Sequence, residues 1–317
     1  MGQPHNQQNV PLILIQRIAG RIDSGQKLTN RALLTMCGEA GIGAVLTDSH
    51  LSHEVAETAL NFLVATKYGM PLLSSDQPAV ACREILRPLQ ERLPAQSWRS
   101  STQVVYQQFS TPAPIAYLAA YILNLTEKDV VLEPSCGTGS LAVWAKASGA
   151  AVITNELDPR RRQIARLIGF DPTGHDAELI DDFLPGIIAP NVVLMNPPFS
   201  SSGGRVERNQ NKFGFRHVES ALRRLATGGR FAVILGEAGS PRNVAGKRFW
   251  DSVSPGIRVT RSISLPGREY HRNGTSVAVT LIFGRKSPVD EPETEIPLNH
   301  HQNFENIEVA FETIRSE

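Results

Sequence analysis

The sequence predicts an α/β fold with a doubly wound, mostly parallel sheet, and three observations predict it. From about residue 103, short apolar runs alternate with helical patterns: Val130-Val131-Leu132, Ala151-Val152-Ile153-Thr154, Val192 to Met195 and Phe231 to Leu235. Glycine and proline mark most changes of period, and apolar runs of about four to six residues between such breakers read as buried strands. The last two runs, Val259 to Leu265 and Ser276 to Phe283, are joined by the loop Pro266 to Thr275 without a helical pattern, which predicts an antiparallel hairpin at one edge.

The first hundred residues read as helices. Pro11-Leu12-Ile13-Leu14-Ile15 leads into a periodic stretch ending near Gly25, and Thr29-Asn30 is suited to cap a helix from Arg31 to Glu39. Ser52, with Glu57 nearby, opens a periodic run from Val55 to Tyr68, and Ile85, Leu86, Leu89 and Leu93 place a further helix over Arg83 to Leu93. His50 and His53 are too few for a metal site and read as surface histidines. The expected division is a helical region over 1–100, available for contact with a partner, an α/β domain over 101–286 and an acidic tail over 287–317.

Composition narrows the classes. Of 317 residues, 41% are hydrophobic and 20% charged, as in a globular protein. No run approaches the roughly 18 apolar residues of a membrane span. Cys37, Cys82 and Cys136 are odd in number and widely spaced, which argues for a reducing cytoplasm rather than a disulfide framework or zinc site. Net charge is +1, yet Ser200 to Asn273 holds 14 Lys/Arg against 5 Asp/Glu, while Pro288 to Glu317 holds 8 acidic residues and one basic. A basic stretch of that kind suits a polyanion-binding face.

The motif with the most chemistry is Asn196-Pro197-Pro198-Phe199, directly after the apolar run ending at Met195. The Asn side chain offers a carbonyl acceptor. Prolines fix φ and donate nothing to a sheet, which leaves carbonyls pointing out of the ladder. Phe199 supplies a face for stacking. Together they suit a flat, nitrogen-bearing substrate.

A second motif, Glu133-Pro134-Ser135-Cys136-Gly137-Thr138-Gly139-Ser140, lies between a strand and the helix Leu141 to Ala147. Gly137 and Gly139 permit positive φ and close ligand approach at the turn where doubly wound sheets hold nucleoside-containing cofactors. The spacing is not that of the dinucleotide fingerprint, and Glu133 would repel a pyrophosphate but attract a cationic ammonium group. About twenty residues on, Glu156 ends the next strand in Thr154-Asn155-Glu156-Leu157-Asp158, placed to accept from ribose hydroxyls. A third carboxylate, after a third strand, would read an adenine amine. Asp176 and Asp182 both qualify, and Asp176 is preferred because Glu178 to Ile188 then forms a connecting helix.

In this order, these residues resemble the S-adenosylmethionine-dependent amino-methyltransferases, and specifically the N6-adenine DNA methyltransferases of gamma motif order. The resemblance covers about 103 to 286 and includes Gln108-Phe109-Ser110-Thr111-Pro112 upstream and Leu265-Pro266-Gly267 through Gly274-Thr275-Ser276-Val277-Ala278-Val279 downstream. It implies a class I, Rossmann-like fold with seven strands and S-adenosylmethionine as cofactor. Thr111, Pro112, Glu133, Pro134, Ser135, Gly137, Gly139, Glu156 and Asp176 would form the cofactor site, with Thr111 and Pro112 over the methionine end. Asn196, Pro197, Pro198 and Phe199 would form the catalytic site around an adenine flipped out of DNA. The same pocket chemistry serves enzymes acting on RNA adenine or guanine amines or on a protein glutamine, and an inactive binding module is a further alternative. Leu28-Thr29-Asn30-Arg31 and Gly139-Ser140-Leu141-Ala142-Val143-Trp144, with the Gln108 segment, also resemble methylase regions fused ahead of strawberry-notch-type helicases of mobile elements. That likeness implies a helicase or other recognition partner.

Overall fold

The structure is a computed structural model that describes residues 10–42, 49–95, 110–198, 213–253, 256–273, 277–288 and 300–316. The N-terminal helices follow the apolar periodicity. Helix α1 (Leu12–Asp23) buries Leu14, Ile15, Ile18, Ala19 and Ile22 along one stripe. Helix α2 (Asn30–Glu39) is capped as expected, the Thr29 hydroxyl accepting the Ala32 N–H at 3.2 Å. Helix α3 (Ser49–Leu63) continues through a π-helical turn (Val64–Tyr68) into α4 (Gly69–Leu73). A second π turn (Cys82–Leu86) joins α5 (Pro78–Ala81) to α6 (Arg87–Glu91). Helix α7 (Ala113–Leu123) is apolar almost all round, is buried on nearly every face, and stops at Asn124 with φ +49°.

The sheet alternates with further helices: β1 (Val130–Glu133), α8 (Ala142–Ala147), β2 (Ala151–Thr154), α9 (Pro159–Leu167), α10 (Ile180–Phe183), β3 (Val192–Met195), α11 (Phe213–Arg224), β4 (Arg230–Gly236), α12 (Val244–Val253), β5 (Ile257–Leu265), β6 (Val279–Lys286), β7 (His301–Asn303) and α13 (Ile307–Ser316). Its order is β2-β1-β3-β4-β6-β5-β7. The first four strands are mutually parallel, β6 runs antiparallel between β4 and β5, and β7 is parallel to β5. Both faces are covered. Val192 and Leu194 enter one core while Val193 and Met195 enter the other, the alternation a pleated strand requires.

Several expectations are corrected. The 287–317 segment is not simply an acidic tail: its residues 300–316 supply β7 and α13, with Ile307, Ala310 and Phe311 buried at helical spacing and Glu308 held by Arg87 at 2.6 Å. The acidic count hid an amphipathic helix. The expected antiparallel hairpin is present as β5 and β6, with the three-residue β7 paired outside it. The expected third strand is a single bridge, Asn155 to Thr173, because Pro172 lacks a donor and Gly174 follows. The helix expected over Glu178 to Ile188 shrinks to a 3-10 turn (Ala177–Leu179) and α10, ended before Pro185-Gly186. In addition, Gly267–Asn273 within the expected loop is a 3-10 helix.

The N-terminal helices share one hydrophobic core with α7, α8, α13 and one face of the sheet, so they form a layer of the same body. His53 is buried in that layer at 7% exposure rather than lying on the surface, while the side chain of His50 falls outside the described residues. Among the described residues, no helix is long and apolar enough to cross a membrane, and no cluster of His, Cys, Asp and Glu suits a metal ion.

Candidate active site

The chain leaves β1 for β2 on one side and returns to β3 on the other, which makes the gap between β1 and β3 the topological switch point of the sheet. Leu132 pairs with Val193 there, so Glu133 and Asn196 both emerge at its carboxyl edge. The glycine loop follows β1. Gly137 has φ +56° and Gly139 φ +89°, and a Cβ on Gly139 would lie 3.0 Å from Phe170 and 3.2 Å from Ile168. A side chain at the second glycine would be strained by that conformation and would crowd both neighbours. The loop is tied to the tip of β2, with Cys136 N–H donating to the Asn155 carbonyl at 2.9 Å and Asn155 Nδ2 donating to the Pro134 carbonyl at 2.9 Å. Ser135 is half-buried in the same loop.

Two carboxylates are buried beneath this loop. Glu133 is 2% exposed and accepts the Ala142 N–H at the start of α8, while its Oε2 has no hydrogen-bond partner among the described residues. Burial pushes its carboxyl well above the usual range, the Ala142 N–H opposes this, and the charge of Glu156 adds to it. A buried carboxylate oxygen without a donor fits a cationic group. Glu156 is 7% exposed; Oε2 accepts the Gly137 N–H at 2.7 Å and Oε1 the Asp158 N–H at 2.8 Å. It therefore ties β2 to the glycine loop by itself and keeps a second lone pair on each oxygen. Burial raises its carboxyl and the Arg161 guanidinium opposes this.

Asp176 follows the Thr173 bridge at the same edge, half-buried, and caps the 3-10 turn by accepting the Glu178 N–H at 3.0 Å. Asp182 is exposed within α10, away from that tip. Asn155 holds the edge together by accepting from His175 N–H and the Thr173 hydroxyl, both at 2.8 Å.

At the other end, Asn196 Nδ2 donates to Thr111 Oγ1 at 2.8 Å and to the Tyr270 hydroxyl at 3.4 Å, while its Oδ1 is buried without a partner among the described residues. Two hydroxyls thus take the amide nitrogen and leave the carbonyl for a ligand. Thr111 therefore stands beside Asn196 as well as ahead of Pro112, the cap of α7. Pro197 is buried and Pro198 half-buried; a Cβ on Gly214 of α11 would lie 3.1 Å from the Pro198 carbonyl. Phe199, Gln108-Phe109 and residues 200–212 of the basic stretch from Ser200 to Asn273 lie outside the described residues.

Tyr270 was not anticipated, nor were three residues on one face of α3. Glu54 accepts Arg161 Nε at 2.8 Å, Glu57 accepts the Ser110 hydroxyl at 2.5 Å, and Asn61 donates to the Thr138 carbonyl at 3.2 Å. Their signal was present as polar residues at 54, 57 and 61, the spacing of one helical face, though Ser52, His53 and Thr58 of the same helix are polar as well.

No family model matches the chain. It is 30% identical over 227 residues to defense against restriction protein B of Escherichia phage P1, which covers 66% of this chain and 10% of that protein. It is 25% identical over 147 residues to the type II restriction enzyme and methyltransferase RM.BcgI of Heyndrickxia coagulans, covering 39% of this chain and 23% of that protein. The chain thus spans a minor part of the curated relatives it matches. Among solved structures, a candidate class I S-adenosylmethionine-dependent methyltransferase from Listeria monocytogenes superposes with a TM-score of 0.57 at 14% identity, covering 94% of each chain. The type I restriction-modification methyltransferase subunit from Streptococcus thermophilus superposes with a TM-score of 0.50 at 17% identity, covering 95% of this chain and 73% of that one. The seven-stranded sheet, its switch point and these superpositions give this chain the class I S-adenosylmethionine-dependent methyltransferase fold.

Proposed function

We propose that the protein is an S-adenosylmethionine-dependent methyltransferase acting on the N6 amino group of adenine in DNA. The observation that carries this reading is Asn196, whose amide nitrogen is held by two hydroxyls while its carbonyl oxygen is buried and without a partner at the switch point. The likeness in sequence to a phage protein of defense against restriction and to a restriction enzyme and methyltransferase supports DNA as the substrate. The cofactor supplies a methyl group on a sulfonium, together with the driving force of its departure.

The residues present fit that cofactor. The unpartnered Glu133 oxygen suits its ammonium group, Glu156 its ribose and Asp176 its adenine amine, with Pro134, Ser135, Gly137 and Gly139 lining the turn between them. Asn196 Oδ1 and the Pro197 carbonyl would each accept one N6–H, drawing the amine towards tetrahedral geometry and directing its lone pair at the methyl carbon. The same two oxygens stabilise the positive charge that develops on nitrogen. Transfer leaves one proton to be shed to water, so no strong base is required. Phe199 and Pro198 would hold the base plane. A flipped adenine loses a few kcal/mol of stacking and pairing, which this pocket offsets. Sequence recognition by a helicase or other partner belongs to the same proposal.

The test is transfer of label from S-adenosylmethionine to duplex DNA, single-stranded DNA, total RNA and protein extract, each offered separately. Label on DNA at adenine N6, lost in Asn196→Ala, is expected. Label on RNA or protein but not on DNA would assign the site to another amine.

A further inference from the structure

The N-terminal helices meet the site at one carboxyl group. Glu57 Oε2 accepts from the Ser110 hydroxyl at 2.5 Å, and Oε1 accepts from Asn273 Nδ2 at 3.4 Å. Ser110 precedes Thr111, which binds the Asn196 amide nitrogen. Asn273 lies one turn beyond Tyr270, which binds the same nitrogen. The two segments are 160 residues apart in sequence, and each brings one hydroxyl to Asn196.

Other contacts fix the Asn273 arm. Gln90 Nε2 donates to Asn273 Oδ1 at 3.0 Å, which leaves the Asn273 NH2 turned towards Glu57. Arg272 donates to the Glu91 and Leu93 carbonyls, and Arg87 to Glu269. One turn along α3, Asn61 reaches the glycine loop, and a cavity lined by Glu57, Asn61, Gln90, Thr111, Ser140 and Asn273 separates these groups.

We propose that Glu57 is a positioning residue for Asn196, bracketing the two segments whose hydroxyls hold its amide so that the carbonyl oxygen stays turned to the substrate. The proposal rests on reading Asn196 as the acceptor for the target amine, and it makes the helical layer part of the active site. Ser110 can donate to a carboxylate or accept from a carboxyl, so that arm survives either protonation state.

The test reads Asn196 directly. In 15N-labelled full-length protein the Asn196 NH2 pair is identified by its disappearance in Asn196→Ala. In Glu57→Ala that pair is expected to broaden or move towards the positions of solvated amides. On whichever substrate the wild type methylates, kcat should fall by about 10²-fold, the cost of a misplaced reacting group, with the cofactor dissociation constant within about threefold. Glu57→Gln keeps two hydrogen-bonding atoms in place and should retain both the signals and most of kcat. Ser110→Ala and Asn273→Ala each remove one arm, should disturb the same pair, and carry the test if Glu57→Ala does not fold. An Asn196 pair unchanged in Glu57→Ala, or in both single-arm variants, overturns the role. If the wild type methylates no nucleic acid, the amide readout still decides the positioning role, and only the reaction assignment fails.

Discussion

The glycine-loop end of the site and the Asn196 end treat charge in opposite ways. At the loop, Glu133 and Glu156 are nearly inaccessible, and burial raises both carboxyls. At the other end, the groups touching Asn196 are the neutral hydroxyls of Thr111 and Tyr270, the latter fully buried. Buried charge is costly unless it is paired. An end that keeps an unpartnered carboxylate is therefore prepared for a cation, and an end that spends its donors on an amide nitrogen is prepared for a neutral donor group. On the proposed function, the contrast separates the half that would hold a sulfonium cofactor from the half that would hold an amine.

The strongest way to break this contrast is Asn196→Ala. Loss of a preorganised acceptor should lower kcat by about 10²–10³-fold and leave cofactor affinity unchanged, which steady-state kinetics and calorimetry would separate. If cofactor binding falls instead, the two ends are one. Next comes Glu133→Gln, which should weaken cofactor binding by about 10–100-fold, the value of a charge-assisted contact, and leave binding of an analogue without the ammonium unaffected. Because burial raises the Glu133 carboxyl, wild-type affinity for the cationic cofactor should climb as pH rises through that raised value. The glutamine variant should lose that dependence.

Glu57 sharpens the comparison, being a carboxyl at the neutral end. Burial lifts it to about 7, opposed by the Ser110 hydroxyl and Arg161 and reinforced by Glu54. A carboxyl that binds its proton more tightly when folded contributes stability that is full below about 4.5, its unfolded value, and lost as pH rises through about 7. The loss should be about 1–3 kcal/mol, read from denaturant midpoints between pH 4.5 and 8, and absent in Glu57→Gln. The smallest effect is expected of Tyr270→Phe. Removing one of two partners of the Asn196 amide should cost about 1 kcal/mol, close to a fivefold fall in kcat, with Thr111→Ala additive only if the two hydroxyls act independently.

Much of the sheet half was legible because local chemistry determines it. Val130 to Leu132 is apolar throughout as a strand buried on both faces must be, Gly139 stands where φ is positive, and Asn196 follows a strand end. The Thr29 cap was legible for the same reason. What could not be read depended on distant partners. Glu54, Glu57 and Asn61 look like a solvated stripe until α9, Ser110 and the glycine loop are brought against them. Tyr270 looked like part of a loop because its role comes from a residue 74 positions earlier. The acidic composition of the last thirty residues outweighed the spacing of Ile307, Ala310 and Phe311, though the spacing decides burial.

The docking of α13 has a consequence for anyone who cuts or fuses this chain. Phe311 packs on Tyr117 with ring centroids 4.9 Å apart, and Tyr117 in turn stacks on Trp144 at 5.0 Å. Truncation after residue 288 would open a hole beneath α7, costing about 3–5 kcal/mol for the lost aromatic alone. It would also take Glu308 from Arg87 and strip β7 from β5, leaving a nine-residue hydrogen-bonding edge ready to pair with another molecule. A fragment trimmed to the motifs would therefore aggregate before its chemistry could be assayed, and domain boundaries drawn from motif spans alone would mislead expression design.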